Sequence, residues 1–298
     1  MTAREVSELS SDADVAVEVL SLAKSFGDGP PVFEGVDLTL RRGETTLLMG
    51  PNGSGKTVLL SCLAGGLRPS AGSVSVFGDQ PSDARSRLVF MLQDGLAIDE
   101  LSGLENAAFY TALHPGATDR WREVADCLEL DALDRRVADY SGGMRRKLEL
   151  ALTLSVDVPL YLLDEPTAAL DPTTVERFHA MLDDLADAGR TVVATSHSPR
   201  DLRAADRLVF FDSDGIVADG EPGALREATP MVVVAGGDTS DRLQSVLREG
   251  KLFDTDAGRR GFLAAHADPE AVADRPGVRA VEAPTAPDVF NYYVHLQP

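Results

Sequence analysis

Apolar and polar residues alternate along two early stretches of this chain. Between Asp14 and Leu20 the valines Val15, Val17 and Val19 take every second position, and Val32–Leu40 alternates in the same way. A period of two predicts half-exposed strands. Four later stretches, Thr45–Met49, Leu88–Leu92, Pro159–Leu163 and Thr191–Thr195, are strand-sized and apolar. They read as strands buried on both faces, as in a parallel sheet. Between them the period becomes helical: Val58–Ala64 and Val175–Leu185 read as helices. Leu104, Ala107, Ala108, Thr111 and Ala112 recur at helical spacing, as do Trp121, Val124, Ala125, Leu128 and Leu130. Met144, Leu148, Ala151, Leu152 and Ser155 give a further helix one apolar face, with Ser141 as its N-cap. Pro69, Gly72 and Gly78 punctuate a short hairpin whose strand is Ser73–Phe77. Asp201–Ala205 reads as a short helix, and Arg207–Asp212 with Gly215–Ala218 as a hairpin. Strands alternating with helices predict an α/β fold: a mostly parallel, doubly wound sheet with an antiparallel β subdomain before it and a helical insert at about 99–156.

At Met231 the pattern resets. Met231–Ala235, Val278–Glu282 and Phe290–Leu296 read as strands and Thr239–Arg248 as a helix, while Gly261–His266 has no clear period. This predicts two domains: a large one over 14–228 and a small α+β appendage over 229–298.

Composition narrows the class. The chain is 44% hydrophobic, enough for a proper core, but no run approaches the ~18 apolar residues of a membrane span. Met1–Ser11 is polar and acidic, unlike a signal or transit peptide, so a soluble, intracellular protein is expected. Any membrane spans it works with belong to other chains. Cys62 and Cys127 form no metal or disulfide pattern. A net charge of −20 argues against nucleic acid as a partner, which would need a basic face. Lysine is confined to Lys24, Lys56, Lys147 and Lys251, and aspartate dominates the acids. Such a surface resembles those of proteins from salt-loving organisms, where a Debye length of about 3 Å at molar salt screens self-repulsion.

The candidate chemistry begins at Gly50-Pro51-Asn52-Gly53-Ser54-Gly55-Lys56-Thr57, which reads G-x-x-x-x-G-K-T between a buried strand and a helix. In that context the glycines let successive N–H groups turn inward around a phosphate, and the helix adds its positive end. Lys56 can reach β- and γ-phosphates, and the Thr57 hydroxyl can bind Mg²⁺. A second metal contact is expected from an Asp at the end of an adjacent strand, where Asp164 stands. Glu165, next in line, can polarise an attacking water.

Ser141-Gly142-Gly143 at a helix N-terminus, upstream of Leu160–Pro166, resembles the signature motif of ABC-type ATPases. The resemblance runs from about Val15 to Leu225 and meets the family's motifs in order. Phe26 sits where the family has an aromatic that stacks on adenine. Gln93 ends its strand like the Q-loop glutamine, Ala168-Ala169-Leu170-Asp171 looks like the D-loop, and His197 like the switch histidine. Ser-Gly-Gly-Met-Arg-Arg resembles the subgroup serving ABC-2 type exporters of the drug-resistance kind, and Pro284–Phe290 is similar to the P-T-x-x-D-V-F close of many such subunits. Tyr140, Met144 and Phe26 stand where the family usually has leucine, glutamine and tyrosine.

The resemblance implies a P-loop NTPase fold and ATP hydrolysis with Mg²⁺. It further implies two copies pairing head to tail, with Ser141, Gly142, Gly143 and Asp171 meeting nucleotide across the interface. Glu165 would activate water, His197 would bond the γ-phosphate, and Gln93 would join Thr57 and Asp164 at the metal. The implied partner is a polytopic membrane permease docked on the helical insert, at the cytoplasmic face of the membrane. A soluble ABC ATPase of cofactor assembly, of the iron–sulfur type, is the alternative.

Overall fold

The computed structural model describes residues 14–27, 29–93, 95–236, 243–255 and 258–296. Its centre is a six-stranded sheet in the order β5-β6-β7-β3-β8-β9. These strands are β3 (Thr45–Met49), β5 (Leu88–Met91), β6 (Leu160–Leu163), β7 (Thr191–Ser196), β8 (Arg207–Asp212) and β9 (Gly215–Gly220). All neighbours are parallel except β8 and β9, which form the expected hairpin. Side chains alternate between two cores, as a period of two demands. Leu47, Met49, Tyr161 and Leu163 face one core, and Leu48, Leu160 and Leu162 the other. The second core is closed by α1 (Lys56–Leu63) and by a three-stranded antiparallel sheet, β2-β1-β4. Its strands are β1 (Val15–Ser25), β2 (Pro31–Arg41) and β4 (Ala71–Val76). The local hairpin expected around Ser73–Phe77 does not form. That strand crosses to pair with β1, and its only local bridge is Val76 to Asp79.

The first core is covered by the helical insert and by α5 (Pro172–Asp187). The insert holds α2 (Gly103–Leu113), α3 (Trp121–Cys127) and α4 (Gly142–Leu154). Each long helix begins at a side-chain cap: Ser102 accepts from the Glu105 N–H, Ser141 from that of Met144 and Asp171 from that of Thr174. No helix among the described residues is long and apolar enough to cross a membrane.

Past α6 (Pro222–Ala228) the chain builds a second antiparallel sheet, β11-β12-β10-β13. Its strands are β10 (Val232–Ala235), β11 (Phe253–Thr255), β12 (Gly258–Phe262) and β13 (Val278–Glu282), joined by a short helix, α7 (Pro269–Ala273). Of the helix expected at Thr239–Arg248, residues 239–242 lie outside the described residues. The part beyond Leu243 forms two 3-10 turns, Gln244–Val246 and Arg248–Gly250, instead of a continuous helix.

Phe290–Leu296, expected as a strand, belongs to a helix, α8 (Ala286–His295). Thr285 and Asp288 start it with a capping box, and Asp288 does a second job there. Its carboxylate, 1% exposed, takes two hydrogen bonds from the buried Arg260 of β12 at 2.8 and 2.9 Å. Burial alone would raise this carboxyl's pKa. The bonds from Arg260 and Thr285 outweigh it and hold the value below that of an ordinary aspartate. Arg260→Met leaves that buried carboxylate unpaired, so it is expected to cost about 3–5 kcal/mol of stability, read as a lower Tm in thermal unfolding. An unchanged Tm would show that the pair does not brace the tail. From α8, Tyr293 stacks on Phe210 of β8 with ring centroids 4.8 Å apart, so the tail shares the first core with the central sheet.

Candidate nucleotide site

The strand β3 delivers the chain into the glycine loop at the centre of the sheet. Gly50 lies so close to the next strand that a Cβ there would stand 2.0 Å from the Phe211 carbonyl oxygen. Gly55, at φ 97°, is the N-cap of α1, and a Cβ on it would meet Val32 at 2.8 Å. Only glycine fits both places. The first turn of α1 holds no acidic side chain to offset its positive end. Ser54 Oγ is buried without a hydrogen-bond partner, 3.2 Å from where a Cβ on Gly50 would stand. Lys56 is 6% exposed, and its Nζ donates to the carbonyls of Gly50 at 2.8 Å and Pro51 at 2.9 Å. Burial pushes its pKa below the ordinary lysine value, while Glu165 and Asp164 act in the opposite direction.

Asp164 and Glu165 follow the end of β6, beside the end of β7. Parallel pairing of Leu163 with Ala194 puts Thr195 next to both acids. The Thr195 hydroxyl donates to Asp164 Oδ1 at 2.6 Å and accepts the Glu165 N–H at 2.8 Å. Asp164 is fully buried, and its Oδ2 has no hydrogen-bond partner. Glu165 holds a left-handed backbone, φ 48°, that costs a non-glycine residue on the order of 1 kcal/mol or more. Its carboxylate receives Gln93 Nε2 at 3.3 Å and stands 3.3 Å from His197 Nδ1. Residues from two other strand ends thus converge on the carboxylate that follows β6.

The other motif residues lie elsewhere. Ser141 caps α4, and the two glycines after it pack on the loop that follows Glu165. A Cβ on Gly143 would come 2.9 Å from the Ala169 carbonyl oxygen. Asp171 is engaged within its own chain, accepting from the Thr174 N–H at 3.0 Å and from the Thr174 hydroxyl at 2.6 Å. Phe26 is 52% exposed, with Lys24 Nζ 4.7 Å from its ring centroid.

Residues 33–168 match the ABC transporter family model. The daunorubicin resistance ATP-binding protein DrrA3 of Streptomyces coeruleorubidus is 35% identical over 247 residues, covering 80% of this chain and 75% of that protein. The chain belongs to the ABC transporter family. The Nod factor export ATP-binding protein I of Rhizobium sp. strain N33 is 34% identical and covers 93% of this chain and 96% of its own length. Among solved structures, a post-hydrolysis state of an ATP-binding cassette bound to ADP and phosphate superposes with a TM-score of 0.63. It is 25% identical and covers 69% of this chain and 98% of that one. A dimeric bacterial ABC transporter cassette gives 0.64 at 24% identity, over 69% and 98%.

As an ABC ATPase the chain binds ATP and hydrolyses it. Around that site the structure adds contacts that the motifs do not show. Thr195 was legible only as part of a strand, because the register that sets it beside Asp164 is tertiary. Arg146, two residues past Met144, reaches back to the carbonyl of Gln93 at 2.8 Å and pairs with the buried Glu149 at 3.3 Å. This joins the helix that starts at Ser141 to the segment that carries Gln93. The sequence marked Arg146 only as the last residue of Ser-Gly-Gly-Met-Arg-Arg and gave no sign of this contact, since basic residues are ordinary on a helix face.

Proposed function

We propose that the chain is the energy-coupling subunit of an ABC exporter, working as a homodimer on a separate polytopic permease at the cytoplasmic face of a membrane. The observation that carries the reading is the complete set of groups around Glu165, set beside an intact glycine loop on one chain. Named relatives of drug-resistance and Nod factor export kind support the exporter assignment, and they set aside the cofactor-assembly alternative. In this reading the ATPase part spans 14–228 and the α+β unit 229–298.

Gly50, Pro51, Asn52, Gly53, Ser54, Gly55, Lys56 and Thr57 cradle the phosphates, and Phe26 offers its exposed ring to adenine. Ser141, Gly142, Gly143 and Asp171 complete the site of the second copy. Glu165 takes the proton of the attacking water, and His197 and Gln93 hold its carboxylate in place. A magnesium ion fits this donor set. Among the described residues no cluster of three or more His, Cys, Asp or Glu side chains forms a closed cage. Magnesium is usually held by one or two protein oxygens and by phosphates, and Asp164 has a buried oxygen to spare. Thr57 and Gln93 would share the task, and the bound ion would neutralise developing phosphate charge.

The permease contact is supported by exposed apolar side chains on and near α2: Leu96 (51%), Phe109 (43%) and Leu113 (62%). Leu96 and Leu113 line one cavity with Leu92, the residue before Gln93. The test is recovery of tagged Glu165→Gln protein from native membranes in high salt with ATP. A polytopic membrane protein in stoichiometric amount supports the reading; recovery of soluble assembly factors alone, with the protein absent from membranes, overturns it. The charge of −20 also supports a halophilic setting. Thermal stability is then expected to rise steeply toward molar salt as self-repulsion is screened, and full stability in dilute buffer would contradict this.

A further inference from the structure

Asp201 was legible only as the start of a short helix, yet it is one of the most engaged side chains in the protein. It is 4% exposed and lies on the 3-10 turn Asp201–Ala204, just past His197. Its Oδ2 accepts from the Thr167 hydroxyl at 2.8 Å and from the Ser196 hydroxyl at 2.6 Å. Its Oδ1 lies 3.0 Å from His179 Nε2, on α5. Burial would raise the pKa of this carboxyl, but the bonds from His179, Ser196 and Thr167 hold it below the ordinary aspartate value. An ionised carboxylate only accepts, so His179 carries its proton on Nε2.

Two of these partners sit beside the reacting groups. Thr167 follows Glu165 by two residues, and Ser196 immediately precedes His197. The Ser196 oxygen also accepts the Ser198 N–H at 2.9 Å, which fixes the turn around His197 from both sides. The two loops border a cavity of about 200 Å³ lined by Glu165, Ala169, Ser196, His197 and Arg200. Across this cavity the shared carboxylate ties the two loops together, beyond the point where Thr195 joins the strand ends.

We propose that Asp201 is a positioning residue for ATP hydrolysis, tying the loop after Glu165 to the loop of His197 so that the two side chains meet. The inference rests on the reading of Glu165 as the base. None of the hydrogen bonds of Asp201 reaches the glycine loop, so its loss acts on turnover and spares nucleotide binding. Asn keeps the size of the side chain but offers one acceptor oxygen and an NH₂ group where three donors now converge.

The test uses the full chain, with Glu165→Gln as reference. Asp201→Asn is expected to lower kcat about tenfold with KM for ATP within about twofold, the split that marks an interaction made in the transition state. Ser196→Ala and Thr167→Val, which leave the carboxylate in place, each lower kcat by a smaller factor. Adding Thr167→Val to Asp201→Asn lowers it no further, because both cut the same tie. Wild-type kcat in Asp201→Asn beside an inactive Glu165→Gln overturns the inference and leaves the base standing. Factors that multiply in the double variant, or a rise in KM with kcat kept, overturn it as well. Should Asp201→Asn not fold, wild-type kcat in both Ser196→Ala and Thr167→Val overturns it, and reduced kcat at unchanged KM in both supports it. Full turnover in Glu165→Gln removes the base assignment itself, and the inference with it.

Discussion

Glu165→Gln lowers ATP turnover by about 10² to 10⁴-fold and leaves ATP binding in place, the range expected when a positioned general base is lost. The substitution removes one property and keeps the rest. An amide oxygen still accepts from Gln93, whose Nε2 lies 3.3 Å from the present carboxylate. The bond between the Glu165 N–H and Thr195 belongs to the backbone and is untouched. Lys56, held on the Gly50 and Pro51 carbonyls in the glycine loop, does not change. Only the capacity to take a proton disappears. On the proposed dimer the variant therefore accumulates in the ATP-bound, closed form, seen as a doubling of mass in size-exclusion chromatography with ATP. Turnover within tenfold of the wild type would place the base elsewhere.

Lys56→Met has its largest effect one step earlier. Affinity for ATP is expected to fall about 10²-fold, about 2.8 kcal/mol at about 1.4 kcal/mol per tenfold. That matches the loss of one or two charge-assisted hydrogen bonds to phosphate, worth about 1.5–3 kcal/mol. The same substitution should leave the Tm of the nucleotide-free protein unchanged or higher. The ammonium is buried against Gly50 and Pro51, and burial disfavours its charged form. The fold gives up little when that charge is removed. Calorimetric titration with ATP and thermal unfolding without it separate the two effects. A Tm that falls along with affinity would mean that Lys56 holds the loop together as well as the ligand.

The strands of the central sheet were legible because each is a short apolar run between turn residues. Beyond the β8–β9 hairpin, which strand pairs with which was not: β4 reads as a strand wherever it pairs, and only its register with β1 places it. The last helix shows the limit of composition. Phe290-Asn291-Tyr292-Tyr293-Val294 is rich in residues that favour strands, and it was read as one. The spacing says otherwise, since Val289, Tyr292, Tyr293 and Leu296 fall at i, i+3, i+4 and i+7 and are all buried. A capping box at Thr285 and Asp288 begins the turn. β12 hid for the opposite reason, because its central Arg260 is buried only by virtue of a carboxylate 28 residues away. At the site, spacing marked the glycine loop and the acids after β6, and the remaining motif residues were named through the family resemblance. The residues that orient them, Thr195, Arg146 and Asp201, are ordinary polar side chains whose meaning comes from neighbours distant in sequence.

The stacking of Tyr293 on Phe210 has a consequence for how changes in the tail will look in a cell. The last helix completes the packing around β8, and Tyr293 also approaches the Leu225 carbonyl at 3.4 Å. A chain that loses this helix exposes Phe210 and Leu225, which the tail now buries. Substitutions at Arg260, Asp288 or Tyr293 would then act mainly on how much protein survives quality control, since a loss of about 1–2 kcal/mol can change abundance several-fold. A transport defect caused by such a change would track the protein's level, with the surviving molecules turning over ATP at the normal rate.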